Sequence, residues 1–311
     1  MQITYQEQKM KTVEYSLADI DEQDKSINYI GGMFPKGKLS AIVGDSSVGK
    51  TSVLAAVSLT ITDGDVFLQG NKSIAKNNGK VLFVDTDAGV DTFKRKVIDF
   101  CGSPERFILP KESGCLPSFS STLYKNSIVE CITEYQPDLV LIDSFAGFLG
   151  VNENSCDVIP CLRWLADIAR KNNVAVAFTH LTNGLEKAEG RITLNCVRGF
   201  SAIYQIPPII WGIDVLPGDS KYRKLYQIKN NLEALDTQEH IITLGESGIS
   251  VLSNIPRNIS AKSRRVGRYQ LLEANKGKTT SELIKLLQQQ DYTTTYEAAK
   301  KAVERWRNSN E

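Results

Sequence analysis

One stretch of the chain has the residue types and spacing of a phosphate-binding loop. It follows the pattern G-x-x-x-x-G-K-[ST], and its consecutive residues are Gly44, Asp45, Ser46, Ser47, Val48, Gly49, Lys50 and Thr51. Glycines let the backbone curl so that successive N–H groups face a phosphate, and a helix starting there adds its positive dipole end. We predict that Lys50 reaches the β- and γ-phosphates of ATP and that the Thr51 hydroxyl binds Mg²⁺. A glycine-rich turn with an incidental lysine is the alternative.

Carboxylates follow two of the apolar runs downstream of this loop. Asp143 ends the run 139–144, and we predict that it supports Mg²⁺ at the carboxyl edge of a parallel sheet. Its alternative role is to cap the turn that follows. Asp85 and Asp87 stand at the end of the run 81–85, and one of them could orient the attacking water. Asp87 lies further out and is the better placed to act as the catalytic base. Alternatively, Asp87 is a turn residue.

The chain contains two histidines, and one of them ends an apolar run. A polar side chain at the position of His180 can contact the γ-phosphate and report its loss to the loop that follows. The alternative is a structural histidine that is hydrogen-bonded at the end of a strand. His240 is predicted to lie in an exposed hairpin without a role.

The elements that must position these residues are read from hydrophobic patterning. Four short runs are apolar on both faces, as in a parallel sheet covered by helices, and they span 39–44, 81–85, 139–144 and 174–180. Helices are predicted at 50–62, 89–101 and 157–172, with a short one near 16–30. Residues 208–252 are predicted to form further strands that are at least partly antiparallel.

Composition indicates a globular protein of 311 residues, with 41% hydrophobic and 23% charged residues. The formal net charge of +1 names no partner. Basic residues are nevertheless concentrated between 256 and 278, which hints at an anionic partner near the C-terminus. The six cysteines form no C-x-x-C pair, so we expect buried, reduced thiols in the cytoplasm. No apolar run is long enough for a membrane-spanning helix, and we expect no membrane partner.

The chain divides into three predicted parts. Residues 1–255 form the nucleotide-binding domain, 256–266 a basic linker and 267–311 a small helical domain. Capping-box patterns at 279–282 and 294–297 open two helices in the last part. We expect a helix-turn-helix or winged-helix unit there; the alternatives are a packing or subunit-contact helix and a partner-protein site.

Taken in order, these groups of residues resemble the RecA-like ATPases and, within them, the RepA-type hexameric helicase family. The DnaB and phage primase-helicase group is next in likeness. The resemblance covers about residues 20–252 and rests on the phosphate loop and four segments: LQGNKSIAKNNGKVLFVDTD (68–87), PDLVLIDSFAGFL (137–149), FTHLTN (178–183) and GRITLNCVRGFSAIYQIPPIIWGI (190–213). It implies an α/β fold, a RecA-like P-loop ATPase core with a mostly parallel sheet, plus the small C-terminal helical unit.

The resemblance also implies roles for single residues. Asp87 takes the place of the usual catalytic Glu, one methylene shorter, and His180 that of the phosphate sensor. In LYQIKNN (225–231), Lys229 matches a basic residue that acts on the neighbouring subunit's nucleotide, but Asn231 stands where the replicative helicases usually have Arg. Three candidates for the arginine finger therefore remain open: Arg191, Arg198 and Arg223.

Such a protein would form a homo-oligomer, a hexameric ring, with ATP and Mg²⁺ between subunits and single-stranded DNA in the channel. The loops after His180 and around 191–198 would line that channel, with Lys187, Arg191 and Arg198 at the DNA phosphates. An ordinary solvated charged loop is the alternative. Two other functions stay open: an ATP-gated DNA-binding switch or assembly factor with slow hydrolysis, and a KaiC-like signalling ATPase without nucleic acid.

Overall fold

A computed structural model describes most of the chain. The described residues are 27–65, 67–68, 73–86, 89–100, 102–110, 117–183, 191–216, 219–236, 238–245, 248–256, 272, 275–289 and 296–307.

The elements alternate between strands and helices in the first two thirds of the chain. The strands are β1 (Tyr29–Ile30), β2 (Phe34–Pro35), β3 (Leu39–Gly44), β4 (Ser73–Ile74), β5 (Val81–Asp85), β6 (Phe107–Ile108), β7 (Leu139–Asp143), β8 (Ala175–Leu181), β9 (Ile209–Leu216), β10 (Asp219–Asn230), β11 (Gln238–Gly245) and β12 (Gly248–Pro256). The helices are α1 (Lys50–Thr62), α2 (Val90–Asp99), α3 (Thr122–Tyr135), α4 (Phe145–Leu149), α5 (Val158–Asn172), α6 (Ala202–Gln205), α7 (Thr280–Gln289) and α8 (Tyr296–Arg307).

A nine-stranded sheet organises the fold, in the order β12-β11-β10-β9-β3-β8-β7-β5-β6. The six strands from β9 to β6 are parallel, whereas β10, β11 and β12 continue the sheet in antiparallel fashion. The predicted α/β class with a mostly parallel sheet is confirmed. A second, small sheet has the order β2-β1-β4.

Helices cover both faces of the parallel strands, which explains why these strands are apolar throughout. Along β7, Leu139 and Leu141 pack into one hydrophobic cluster with α1 and α2. Val140 and Ile142 point the other way, into a second cluster with α3 and α5. Since successive side chains of a strand face opposite sides, a strand between two helical layers carries no polar face.

The predicted helix near 16–30 is wrong at its C-terminal end. Residues 1–26 lie outside the described part, but Tyr29 and Ile30 form β1 and pair with β2 in the antiparallel direction. Gly31 and Gly32 make the turn at φ angles of 58° and 72°. The chain reverses at these glycines, and the pairing fixes Tyr29 and Ile30 as a strand.

The C-terminal residues that are described form two helices around their own apolar cluster. Helix α7 packs against Val303 and Trp306 of α8 through its apolar residues Leu283, Ile284 and Leu287. The first predicted capping box is present, because the backbone N–H of Thr279 donates to Glu282 Oε2 at 2.8 Å. The predicted linker beyond Pro256 and the first two residues of the second predicted capping box, 294–295, lie outside the described residues.

Among the helices of the described part, none is both long and apolar enough to cross a membrane.

Candidate functional site

The phosphate loop joins the carboxyl end of β3 to the first turn of α1. Gly49 caps α1 with a φ of 107°, a left-handed conformation that glycine adopts without steric cost. A Cβ at Gly44 would lie 2.7 Å from the carbonyl oxygen of Ile213, and a Cβ at Gly49 would overlap Leu244 Cδ1. Strands β9 and β11 therefore press against the loop closely enough to require glycine at both positions.

Lys50 holds its ammonium group against the loop itself. Its Nζ donates to the carbonyl oxygen of Gly44 at 3.0 Å and to that of Asp45 at 2.7 Å. The hydroxyl of Thr182 donates to the Asp45 carboxylate, which ties the loop to the end of β8. The ammonium group of Lys50 thus lies at the loop where the motif predicts that a phosphate binds.

Thr51 and Asp143 meet directly, as predicted for a shared magnesium site. The Thr51 hydroxyl donates to Asp143 Oδ2 at 2.6 Å, and the Thr179 hydroxyl donates to Asp143 Oδ1 at 2.5 Å. Asp143 is 6% exposed. Hydroxyl and carboxylate oxygens are the ligands that Mg²⁺ prefers, so this donor set fits that ion. Sequence reasoning missed Thr179, although its position just before His180 at the end of a strand was a usable signal.

Asp87 lies outside the described residues, so its role as the base stays a prediction. The residue before it, Thr86, is placed beside Asp143. The backbone N–H of Thr86 donates to the Asp143 carbonyl at 2.9 Å, and the Thr86 hydroxyl donates to the Ser144 carbonyl at 2.8 Å. The chain therefore leaves β5 along the end of β7.

His180 is buried at the end of β8, and its ring contacts protein groups. Its Nε2 donates to the Arg198 carbonyl at 2.8 Å, and the ring of Phe145 meets it edge-on at 5.8 Å between centroids. Burial lowers the pKa of His180, which favours the neutral form of the ring. These contacts fit the alternative of a hydrogen-bonded structural histidine. The sensor role remains a prediction.

Two basic residues predicted to act on a neighbouring subunit are engaged within their own chain. Arg198 forms an ion pair with Glu153, with 2.5 Å between Nε and Oε1. Lys229 Nζ donates to three carbonyls at the end of α6, at 2.8 Å, 2.6 Å and 2.8 Å, namely those of Tyr204, Gln205 and Pro207. Desolvation lowers the pKa of Lys229.

The other two arginine-finger candidates also have partners. Arg191 pairs with Glu239, and its guanidinium lies 5.7 Å from the centre of the Tyr226 ring. Arg223 reaches the phosphate loop of its own chain, where its Nε donates to the Val48 carbonyl at 2.9 Å. Sequence reasoning did not find this contact, which joins residues 175 positions apart.

The expectation that His240 is exposed is wrong. His240 is buried, with its ring 6.0 Å from that of Trp211 and its Nε2 3.5 Å from Asp236 Oδ2. Its strand, β11, is flanked by β10 and β12. An interior strand has one face on the core, and His240 lies on that face.

Comparison with known proteins agrees with this architecture. The sequence matches the family described as AAA domain over residues 6–183. No curated protein matches the chain. Among solved structures, a KaiC-like protein from the hyperthermophilic archaeon Pyrococcus horikoshii is similar, with a TM-score of 0.53 and 15% sequence identity. That alignment covers 74% of this chain and 97% of the archaeal one, and at this identity it speaks for the fold alone.

Proposed function

Because the chain belongs to the AAA domain family, we propose that it binds ATP with Mg²⁺ at the phosphate loop and hydrolyses it as a ring-forming DNA-dependent ATPase. Family and fold make it a P-loop ATPase of the RecA-like class. The observation that carries the proposal is the 2.6 Å contact between the Thr51 hydroxyl and Asp143 Oδ2, beside Lys50. A strand-end carboxylate next to the threonine of the loop is the arrangement that phosphoryl transfer with Mg²⁺ requires.

Each residue of the site has a distinct part in this proposal. Lys50 and the N–H groups of the loop hold the β- and γ-phosphates, and Thr51 with Asp143 holds Mg²⁺, which when bound neutralises charge on the phosphates. Asp87 orients the attacking water. His180 reports loss of the γ-phosphate through its hydrogen bond to the Arg198 carbonyl.

The hexameric ring and the DNA partner are proposed from the family resemblance, and the charge of the C-terminal part supports the DNA partner. In a hexameric ring, Lys229 and an arginine of one subunit would serve the nucleotide of the next. Exposed basic side chains lie on α8 in the proposed C-terminal domain 267–311, namely Lys300, Lys301, Arg305 and Arg307. Together with the basic linker 256–266 they would attract single-stranded DNA electrostatically. The four described cysteines are free thiols, in keeping with the proposed cytoplasmic location. Three of them are buried as expected, whereas Cys156 is exposed.

The second candidate function is an ATP-gated DNA-binding switch with slow hydrolysis. It is favoured by the internal partners of Arg198 and Lys229, because a residue held by its own chain must release those partners before it can serve a neighbour. A third candidate, a signalling ATPase without nucleic acid, draws on the KaiC-like structure.

Steady-state ATP hydrolysis with and without single-stranded DNA, at two salt concentrations, separates the three functions. We expect DNA to stimulate turnover and added salt to reduce that stimulation, since counterions compete for the DNA phosphates. Lys50→Ala is the control and should abolish turnover in every condition. Slow turnover that ignores DNA, while DNA binding itself depends on ATP, would favour the switch. Turnover without any DNA binding would favour signalling.

A further inference from the structure

Arg223 touches the phosphate loop from a part of the fold that the motif does not include. It lies on β10, paired with Val215 of β9 on one side and Ile242 of β11 on the other. Strand β9 pairs with β3 through Gly212 and Val43. Arg223 is therefore level with the chain just beyond β3, where the phosphate loop begins.

The contact acts on one peptide plane of the loop. Arg223 Nε donates to the Val48 carbonyl at 2.9 Å, and the peptide between Val48 and Gly49 is trans. In a trans peptide the C=O and the following N–H point in opposite directions. Because the Val48 carbonyl faces Arg223 on β10, the N–H of Gly49 points away from β10.

Other contacts hold the same peptide in place. Leu244 of β11 lies where a Cβ on Gly49 would be, and Val48 is buried. The half-buried guanidinium of Arg223 also donates from Nη1 to the carbonyl of Tyr222 at 3.2 Å. The antiparallel strands thus support the loop from the side opposite β8.

We infer that Arg223 is a positioning residue of its own chain's phosphate loop and not an arginine finger supplied to a neighbouring subunit. By holding the Val48 carbonyl outward, it keeps the Gly49 N–H available to the phosphates and places a positive charge beside them. This inference rests on the proposed nucleotide site and adds a residue to it. Arg223 acts on phosphates that ATP and ADP share, so its loss lowers the affinity for both.

Nucleotide affinity tests this directly. Fluorescent ATP and ADP analogues are titrated into dilute solutions of the wild-type chain and of the variants Arg223→Gln, Arg223→Lys and Lys221→Gln. The last variant is the control, because it changes an exposed residue of the same strand. For Arg223→Gln we expect about 10-fold weaker binding of both analogues, as for a lost charged hydrogen bond. Arg223→Lys should recover part of the loss and Lys221→Gln should match the wild type. Thermal unfolding verifies that each variant is folded. If Arg223→Gln does not fold, the affinity of Arg223→Lys is used for the comparison with the wild type.

Turnover provides the readout that a purely structural role would not give. We expect Arg223→Gln to raise KM more than it lowers kcat. Mixing Arg223→Gln chains with Lys50→Ala chains should restore no activity, since each defect affects only the nucleotide site of its own chain. A finger acting between subunits would do the reverse: unchanged affinity, a lower kcat and activity regained on mixing. That result, or equal affinity in wild type and variant, would overturn the inference alone. A wild-type chain without nucleotide affinity would instead contradict the proposed function.

Discussion

At the scale of single residues, the site is ordered by hydrogen bonds whose donors are unambiguous. Hydroxyl groups of Thr51 and Thr179 each supply one proton, and the two oxygens of the Asp143 carboxylate accept them. The carboxylate is therefore fixed from two sides before any ligand binds. Such preorganisation lowers the cost of holding a metal ion in the correct position.

His180 should make the stability of the chain depend on pH. Burial lowers its pKa, so as the pH falls below about 6.5 the unfolded chain takes up a proton on this ring more readily than the folded chain does. The free energy of unfolding should therefore decrease as the pH falls from about 7.5 to about 5.5. Gln retains a donor for the Arg198 carbonyl but does not titrate, so His180→Gln should show a smaller decrease.

Urea unfolding of both proteins at the two ends of this range measures the difference. His240→Gln is a matched control, because it makes the same change at the second buried histidine, which lies on β11. Equal decreases in wild type and His180→Gln would show that the buried ring does not control this pH dependence.

At the scale of elements, the two C-terminal helices depend on one small cluster. Trp306 is buried against residues that include Leu287 and Val303. Trp306→Ala should cost about 3–5 kcal/mol of local stability, which a unit of this size cannot lose and stay folded. Hydrogen exchange should then become fast throughout α7 and α8 and stay slow in β3, β7 and β8. Lys301→Ala changes an exposed residue of the same helix and should leave exchange in α7 as in the wild type. Slow exchange in α7 of Trp306→Ala would contradict the dependence on this cluster.

Elements with a strong local signal were predictable from sequence. Strands β3, β5, β7 and β8 were located to within a residue or two because both of their faces are buried, which leaves an uninterrupted apolar run. Helix α3 was overlooked, although the Ser121 side chain caps it by accepting from the Tyr124 N–H at 3.2 Å. Tyr29, Ile30 and His240 were misassigned because their state depends on strands that pair with them in space.

Within the site, too, the contacts with a local sequence signal were predictable, and those that depend on pairing in space were not. Thr51 and Asp143 could be paired in advance, since the phosphate motif and a strand ending in Asp predict one edge of a parallel sheet. The contacts of Arg223 with Val48 and of Arg198 with Glu153 depend on strand order, register and loop path. Nothing in the residue types near position 223 specifies which loop its side chain will meet.

At the scale of the whole molecule, the sheet has two parts with different roles. Its parallel strands bring the loop after β3 and the ends of β7 and β8 to a common edge, where ligands of such sheets bind. Its antiparallel strands β10 and β11 press on the same loop through Arg223 and Leu244. A change in the antiparallel part would therefore act directly on the phosphate loop.

The central claim is that this edge of the sheet hydrolyses ATP with Mg²⁺. Phosphate release from ATP, with and without Mg²⁺, should be measured for the wild type, Lys50→Ala, Asp143→Asn and Asp138→Asn. Asp138 is a matched control at the other end of β7, where it pairs with Lys36 and Lys76. We predict Mg²⁺-dependent turnover in the wild type and Asp138→Asn, and a loss of at least about 100-fold in the other two variants. Wild-type rates in Asp143→Asn, or turnover without a divalent ion, would contradict the account.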